Sequence, residues 1–225
     1  PFHPSRWQLT AKLTVVTTTF FFGFGAFFWG LFEWNNPATI GSYSSGDKIL
    51  NAIFASVMMR SGGFNLVDMD TITPVSTLLT DVLMFIGGGS GSTAGGVKVT
   101  TIAVIALSIL AEARGDQKVV AFNRTIPESS LRIAISVLVM SATMVCIGTA
   151  TLVMISGADL KEVMFEVISA FGTCGLSSSL PPAGVYVLSL LMLIGRIGTT
   201  TAATGLAMRS RRRLYKFPEE RPTIG

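Results

Sequence analysis

Two short glycine turns carry the residues best suited to chemistry in this chain: Ser61-Gly62-Gly63-Phe64-Asn65 and Thr173-Cys174-Gly175-Leu176-Ser177. Each follows an apolar stretch too short to cross a bilayer, Asp47 to Arg60 in one case and Asp159 to Phe171 in the other. A glycine lets backbone carbonyls face a narrow axis, where they can replace the water shell of a cation. A helix that dips into the membrane from outside aims its partially negative C-terminal end at the same place. The second turn has the shape of a Thr-Val-Gly-Tyr-Gly potassium filter strand without its last glycine. One such pentapeptide is weak evidence, but Asp47 precedes Gly63 by the same interval that separates Asp159 from Gly175.

A third glycine segment has a different character. Gly87-Gly88-Gly89-Ser90-Gly91-Ser92-Thr93-Ala94-Gly95-Gly96 interrupts an apolar stretch that runs from Pro74 to Ala111. A bilayer core needs about 20 helical residues, so the stretch is nearly twice too long and is read as a broken helix. Irregular backbone at that depth must be satisfied by protein or water. Taken alone, the run also fits a small-xxx-small helix-packing pattern; the excess length favours the break. It is not a phosphate loop, since Val97 separates Gly96 from Lys98 and no strand precedes it.

The elements that must position these turns follow from the apolar pattern. With 49% hydrophobic and 13% charged residues, the chain falls in the helical membrane class. Full spans are expected over Leu9 to Phe32, Leu131 to Ile155 and Val185 to Met208, with Trp7 and Trp34 as interface anchors and Phe20 to Phe28 as lipid-facing or packing surface. Pro74 behind Thr73 opens a helix, and Asp47 and Asp159 are expected to cap the half-length helices. The second half repeats the first: Met84-Phe85-Ile86-Gly87 matches Met192-Leu193-Ile194-Gly195, and Thr93-Ala94 matches Thr201-Ala202. A repeat in a membrane chain points to a site on the axis relating its copies.

Orientation follows from the positive residues. They concentrate before the first span, between the halves and after the last span, the Arg211-Arg212-Arg213 run among them, whereas the remaining loops hold only Lys48 and Lys161. Both termini are therefore expected in the cytoplasm, with the half-length helices entering from outside. The chain starts without an initiator Met or a signal peptide and is read as beginning partway through a larger protein.

These motifs, with Thr100-Thr101 after Lys98 and Gly195-Arg196-Ile197-Gly198, resemble the membrane subunit of the Trk/Ktr/HKT superfamily of potassium transporters. The tail from Tyr215 to Arg221 with Ile224-Gly225 is similar to the Ktr branch. The resemblance implies an all-α membrane protein of helix, re-entrant pore helix, helix repeats. Four such repeats surround one pore, of which this chain resembles the third (1–113) and fourth (131–208), joined by a cytoplasmic linker (114–130) and followed by a cytoplasmic tail (209–225). It implies a selectivity filter at Ser61, Gly62, Gly63, Phe64, Asn65, Thr173, Cys174, Gly175, Leu176 and Ser177, with potassium at their backbone carbonyls. The run Gly87 to Gly96 matches an intramembrane gate loop, with Lys98 close to it and Arg196 facing the pore below the filter. Ser61 and Gly62 stand where the family more often has Thr and Ala, and Cys174 is a less usual choice.

The resemblance further implies potassium as substrate, with sodium as a second ion, and no cofactor in this chain. A nucleotide, ATP/ADP or NAD, is bound only by a cytoplasmic regulatory ring. The expected partners are that ring, the missing N-terminal repeats, a second copy of the full membrane subunit and plasma-membrane lipid, with no nucleic acid.

Several residues have plainer readings. Arg196 aligns with Gly88, and a guanidinium about 7 Å from a permeating cation at an effective dielectric of about 20 opposes it by roughly 2 kcal/mol; it could instead pair with Asp81 or Glu166. Lys98 at this position could snorkel to the interface. An enzyme lacks a constellation, since His3 stands alone and Cys146 and Cys174 have no metal-ligand spacing. The other transport class, a secondary transporter of a small polar solute built on broken helices, calls for more polar groups on the full spans than Leu131 to Ile155 offers.

Overall fold

The computed structural model describes residues 7–60, 62–89, 92, 94–177, 184–198 and 205. Ser61, Ser90, Gly91, Thr93, the Thr201-Ala202 match, the last span beyond 198 apart from 205, and the tail expected over 209–225 lie outside the described residues. The elements are α1 (Leu9–Glu33), α2 (Ser45–Met58), a 3-10 turn (Met69–Thr71), α3 (Pro74–Phe85), α4 (Val99–Arg114), β1 (Val120–Ala121), β2 (Arg124–Thr125), α5 (Glu128–Ser156), α6 (Leu160–Gly172) and α7 (Val185–Leu193). A π-helical turn, Ile194–Gly198, continues α7.

Only α1 and α5, with 25 and 29 residues, are long and apolar enough to cross a bilayer among the described residues. The half-length helices are α2, with 14 residues, and α6, with 13. Their starts are encoded locally but not identically. Asp159 caps α6 by accepting the Leu160 N–H at 2.9 Å. Asp47, expected to cap α2, instead lies inside its first turn: Ser44 is the cap, accepting the Asp47 N–H at 3.3 Å while its hydroxyl donates to Asp47 Oδ2 at 2.7 Å. That Ser44–Asp47 box, with both bonds made by the serine hydroxyl, starts the helix a turn earlier than the aspartate alone implies. Thr73 caps α3 with Pro74 in its first turn.

The apolar stretch from Pro74 is broken as its length demands, α3 ending at Phe85 and α4 starting at Val99. The last span departs from expectation, since α-helical pitch gives way to a π turn at Ile194. The linker between the halves also holds more structure than its polarity suggests. Val120 pairs with Thr125 and Ala121 with Arg124, turning through Phe122 and Asn123, both at positive φ (50° and 60°). Consecutive positive φ values match the tight hairpin turn whose twist suits antiparallel strands. Ala121 and Ile126 tuck against Leu13 and Ala103, fastening the hairpin to α1 and α4.

One core joins Trp29 of α1, Ala52 of α2, Leu83 and Met84 of α3, and Phe165 and Ile168 of α6. A second joins Leu152 of α5, Val163, Val167 and Ala170 of α6, and Leu191 of α7. Small residues set the closest approach: a Cβ on Gly25 would lie 2.6 Å from Ser56 Oγ, and one on Gly30 would lie 2.9 Å from Ala52 Cβ. Backbone proximity of this kind is how helices associate where lipid removes the hydrophobic drive. Phe20 and Phe27 are exposed along α1, as expected of a lipid-facing surface, whereas Phe21 turns onto the core.

The end of α1 is tied to the start of α3 by Glu33, which is fully buried. Its carboxyl group accepts hydrogen bonds from Asn36 Nδ2 (2.6 Å), Thr39 Oγ1 (2.7 Å), Thr73 N (2.9 Å) and Thr73 Oγ1 (2.8 Å). Hydrogen bonds to such a group are the strong ones. Glu33→Ala strands those donors and is expected to destabilise the protein by on the order of 3 kcal/mol, read as a lowered thermal midpoint in detergent. A midpoint equal to that of the original protein contradicts the assignment.

Candidate functional site

The two glycine turns meet. Gly63 and Gly175 both adopt positive φ, 70° and 89°, the region that glycine enters without steric cost. A Cβ on Gly63 would lie 2.6 Å from the Cys174 carbonyl oxygen and 3.3 Å from Gly175 Cα; one on Gly175 would lie 3.5 Å from Gly63 Cα. Segments separated by more than a hundred residues therefore face each other backbone to backbone, each just beyond the C-terminal end of a half-length helix.

Side chains behind the turns hold them in shape. Cys174 is buried, and its Sγ donates to the Met59 carbonyl at 3.0 Å, linking the second turn to the end of α2. Ser169 Oγ donates to the Leu176 carbonyl, and Ser177 Oγ donates to Glu166 Oε1 at 2.6 Å. On the other turn Phe64 and Asn65 are exposed, with Asn65 Nδ2 donating to the Val67 carbonyl at 3.1 Å. The buried Arg60 guanidinium sits 5.6 Å from the centre of the Phe21 ring, within cation–π range.

Thr173 has φ 51°, a left-handed conformation at the end of α6. Its N–H bonds the Ala170 carbonyl at 3.0 Å, and the Cys174 N–H bonds that of Ser169 at 2.9 Å. Those two bonds close the helix in the Schellman manner. The sequence carries no sign of this, because Gly is the usual occupant of such a position.

The glycine run is a cinched loop. Ile86 and Val97 form an isolated parallel bridge at its base. Gly87 N donates to Val97 O at 2.8 Å, Val97 N to Phe85 O at 3.1 Å and Val99 N to Gly88 O at 3.3 Å. Ser92 N donates to Gly89 O at 3.1 Å, and Ala94, Gly95, Gly96 and Val97 are buried. Lys98 does not snorkel: its ammonium group donates to the Ala94 carbonyl inside the loop. The described part of the run is not helical, which removes the helix-packing reading.

The loop lies against the end of α6. Gly95 N donates both to Thr173 Oγ1 at 2.8 Å and to the Gly172 carbonyl at 3.1 Å. A Cβ on Gly95 would come within 2.8 Å of Phe171 O, and one on Gly172 within 2.6 Å of Met84 O. Gly195, in the π turn, approaches the same Phe171 carbonyl still more closely. Arg196 is exposed on that turn, and among the described residues it forms no ion pair with Asp81. Asp81 is buried on α3, and among the described residues neither of its carboxyl oxygens has a hydrogen-bond partner.

Comparison with known proteins adds the following. The family model for TrkH, a cation transport protein, matches residues 2–212. The chain is 36% identical over 222 residues to the Ktr system potassium uptake protein B of Vibrio alginolyticus, covering 97% of this chain and 49% of that one. It is 38% identical over 175 residues to the protein of the same name from Bacillus subtilis (strain 168), covering 76% of this chain and 39% of that one. It is 35% identical over 213 residues to the potassium/sodium uptake protein NtpJ of Enterococcus hirae, covering 89% and 47% respectively. The chain thus spans half or less of the length of these relatives. Its fold is similar to the crystal structure of the potassium transporter TrkH from Vibrio parahaemolyticus, with a TM-score of 0.69 at 20% identity over 86% of this chain and 43% of that one.

The loop's packing is testable against a neutral reference. Gly96 and Gly115 share positive φ, 67° and 75°, but a Cβ on Gly96 would lie 2.9 Å from Phe85 O, whereas one on Gly115 meets nothing within 4 Å. Both alanine variants bear the left-handed penalty of about 1–2 kcal/mol, so Gly96→Ala is expected to lower the thermal midpoint further than Gly115→Ala. Equal midpoints would mean that the loop base is not packed as described.

Proposed function

We propose a function for this chain from the fact that it belongs to the TrkH family of cation transport proteins: it forms part of a potassium-uptake pore in the cell membrane. The observation that carries the reading is the meeting of Gly63 and Gly175 at positive φ beyond the ends of two half-length helices. In this reading α1, α2 and the broken α3/α4 helix form one pore repeat, and α5, α6 and α7 with its continuation form the next. Further repeats, matching the greater length of the relatives, complete the ring around the axis.

The carbonyls of the 61–65 and 173–177 segments take over the hydration shell of a dehydrated potassium ion. The loop from Gly87 to Gly96, tucked beneath the end of α6, acts as the gate, with Lys98 bracing it. Arg196, exposed on the π turn, adds a positive barrier that slows cations without stopping them. Sodium is the second candidate ion, given the potassium/sodium uptake relative. Both termini face the cytoplasm, where a nucleotide-binding regulatory ring controls the loop and a second membrane subunit completes the assembly. The Ktr system relatives support such a partner.

Two measurements test this. Vesicles holding the complete transporter should take up rubidium or potassium, and Gly175→Ser should lower the preference for potassium over sodium several-fold, because a side chain at φ 89° distorts the carbonyl ring. Solute uptake without alkali-cation flux would overturn the function; an unaltered ion preference would remove Gly175 from the filter.

A further inference from the structure

The strained residue of the second glycine turn is also the residue that holds the loop. Thr173 occupies a left-handed position, φ 51°, at the end of α6. Glycine or asparagine fills such a position at little cost, whereas for a β-branched residue it is a genuine outlier. Closing the helix requires only backbone groups, the N–H groups of Thr173 and Cys174 to the carbonyls of Ala170 and Ser169. A glycine could therefore do that part of the work. What threonine adds is a hydroxyl, and its oxygen accepts the Gly95 N–H at 2.8 Å across 78 positions of sequence. Strain retained at one residue, together with a contact that only that side chain can make, is the pattern of a functional constraint.

The same Gly95 N–H has a second acceptor, the Gly172 carbonyl, at the longer distance of 3.1 Å. Loss of the hydroxyl therefore weakens the attachment without leaving a buried donor unpaired. Around this bond the backbones are close: a Cβ on Gly95 would meet Phe171 O at 2.8 Å and both Thr173 Oγ1 and Cγ2 at 3.0 Å. The Thr173 side chain thus covers Gly95 as well as bonding it. Lys98 pins the next residue back, at the Ala94 carbonyl, so the loop is held from its own side and from the α6 side at adjacent residues.

We propose that the Thr173 hydroxyl is a latch that holds the glycine loop closed against the ion-coordinating turn, so that the loop cannot leave its seat without releasing a residue of that turn. The inference rests on the gate reading of the loop and assigns Thr173 a positioning role that the filter reading alone does not. It links filter and gate within one side chain: the carbonyl of Thr173 belongs to the turn and its hydroxyl to the loop.

The test uses the complete transporter in vesicles without its regulatory partner, reading rubidium leak and the rubidium-to-sodium ratio. Thr173→Val keeps the shape and the β-branch but removes the acceptor. It is expected to raise the leak by about fivefold, the equivalent of one ordinary hydrogen bond. Thr173→Ser should restore control relative to Thr173→Val. Gly95→Ala, which forces the loop off from the other side, should reproduce the valine phenotype.

In a background with part of Gly87 to Gly96 deleted, Thr173→Val should add nothing. If the deletion alone fails to raise the leak, the gate reading falls. If the deletion raises it and Thr173→Val and Gly95→Ala do not, the latch is wrong while the gate stands. If Thr173→Val changes the ion ratio to the same extent with and without the loop, Thr173 serves the ion-coordinating turn alone and the latch is again overturned.

Discussion

Backbone-to-backbone contact at the end of α6 is the constraint on which the rest of the structure depends. Four glycines converge there from separate parts of the chain: Gly95 and Gly195 approach the Phe171 carbonyl, Gly172 approaches the Met84 carbonyl, and Gly96 approaches that of Phe85. At each point a single methyl group would force the backbones apart. α3 ends at this point, the glycine loop is seated on it, and α7 departs from α-helical pitch beside it. Side-chain packing alone tolerates small slides, because dispersion is non-directional. Opposed carbonyls and N–H groups do not, since their hydrogen bonds weaken steeply with misalignment.

The same constraint explains how the irregular backbone is satisfied, as the proposed membrane setting requires. A helix that stops inside the bilayer leaves carbonyls without partners, and hydrocarbon supplies no water to satisfy them. Each half-length helix is completed by a distant segment. The Met59 carbonyl, just past α2, accepts the Cys174 thiol, and the Gly172 carbonyl, last in α6, accepts the Gly95 N–H. The loop does the same internally by bonding Phe85, Gly88 and Val97 across its base. Satisfying these groups brings the two glycine turns together and sets the loop against the end of α6. In the proposed pore, filter and gate are thus consequences of one hydrogen-bonding requirement.

The halves are related but unequal. Both half-length helices lead to a glycine at positive φ, yet among the described residues only α6 ends in a left-handed threonine and bonds the loop there. The first half ties the end of α1 to the start of α3 through Glu33, which gathers Asn36, Thr39 and Thr73. The second half has a π turn carrying Arg196 at positions that align in sequence with the start of the loop. A π turn widens the helix locally, and such turns are common at functional sites.

Much of this organisation was legible in the residues. The apolar lengths separate full spans from half-length helices because bilayer thickness sets a minimum, and the overlong stretch after Pro74 had to break. The glycines at 63 and 175 announced turns because glycine alone enters that backbone region freely. Other features were not legible: the strain at Thr173, the π turn at Ile194, the hairpin through Phe122 and Asn123, the Ser44 box that displaced Asp47 as cap, and the inward bond of Lys98. The reason is physical. Length, periodicity and local caps are properties of a segment and its solvent, so they can be read along the chain. Whether Gly95 lies against Thr173 or Gly172 against Met84 depends on backbone groups that every residue carries alike, and only the tertiary structure decides which of them meet.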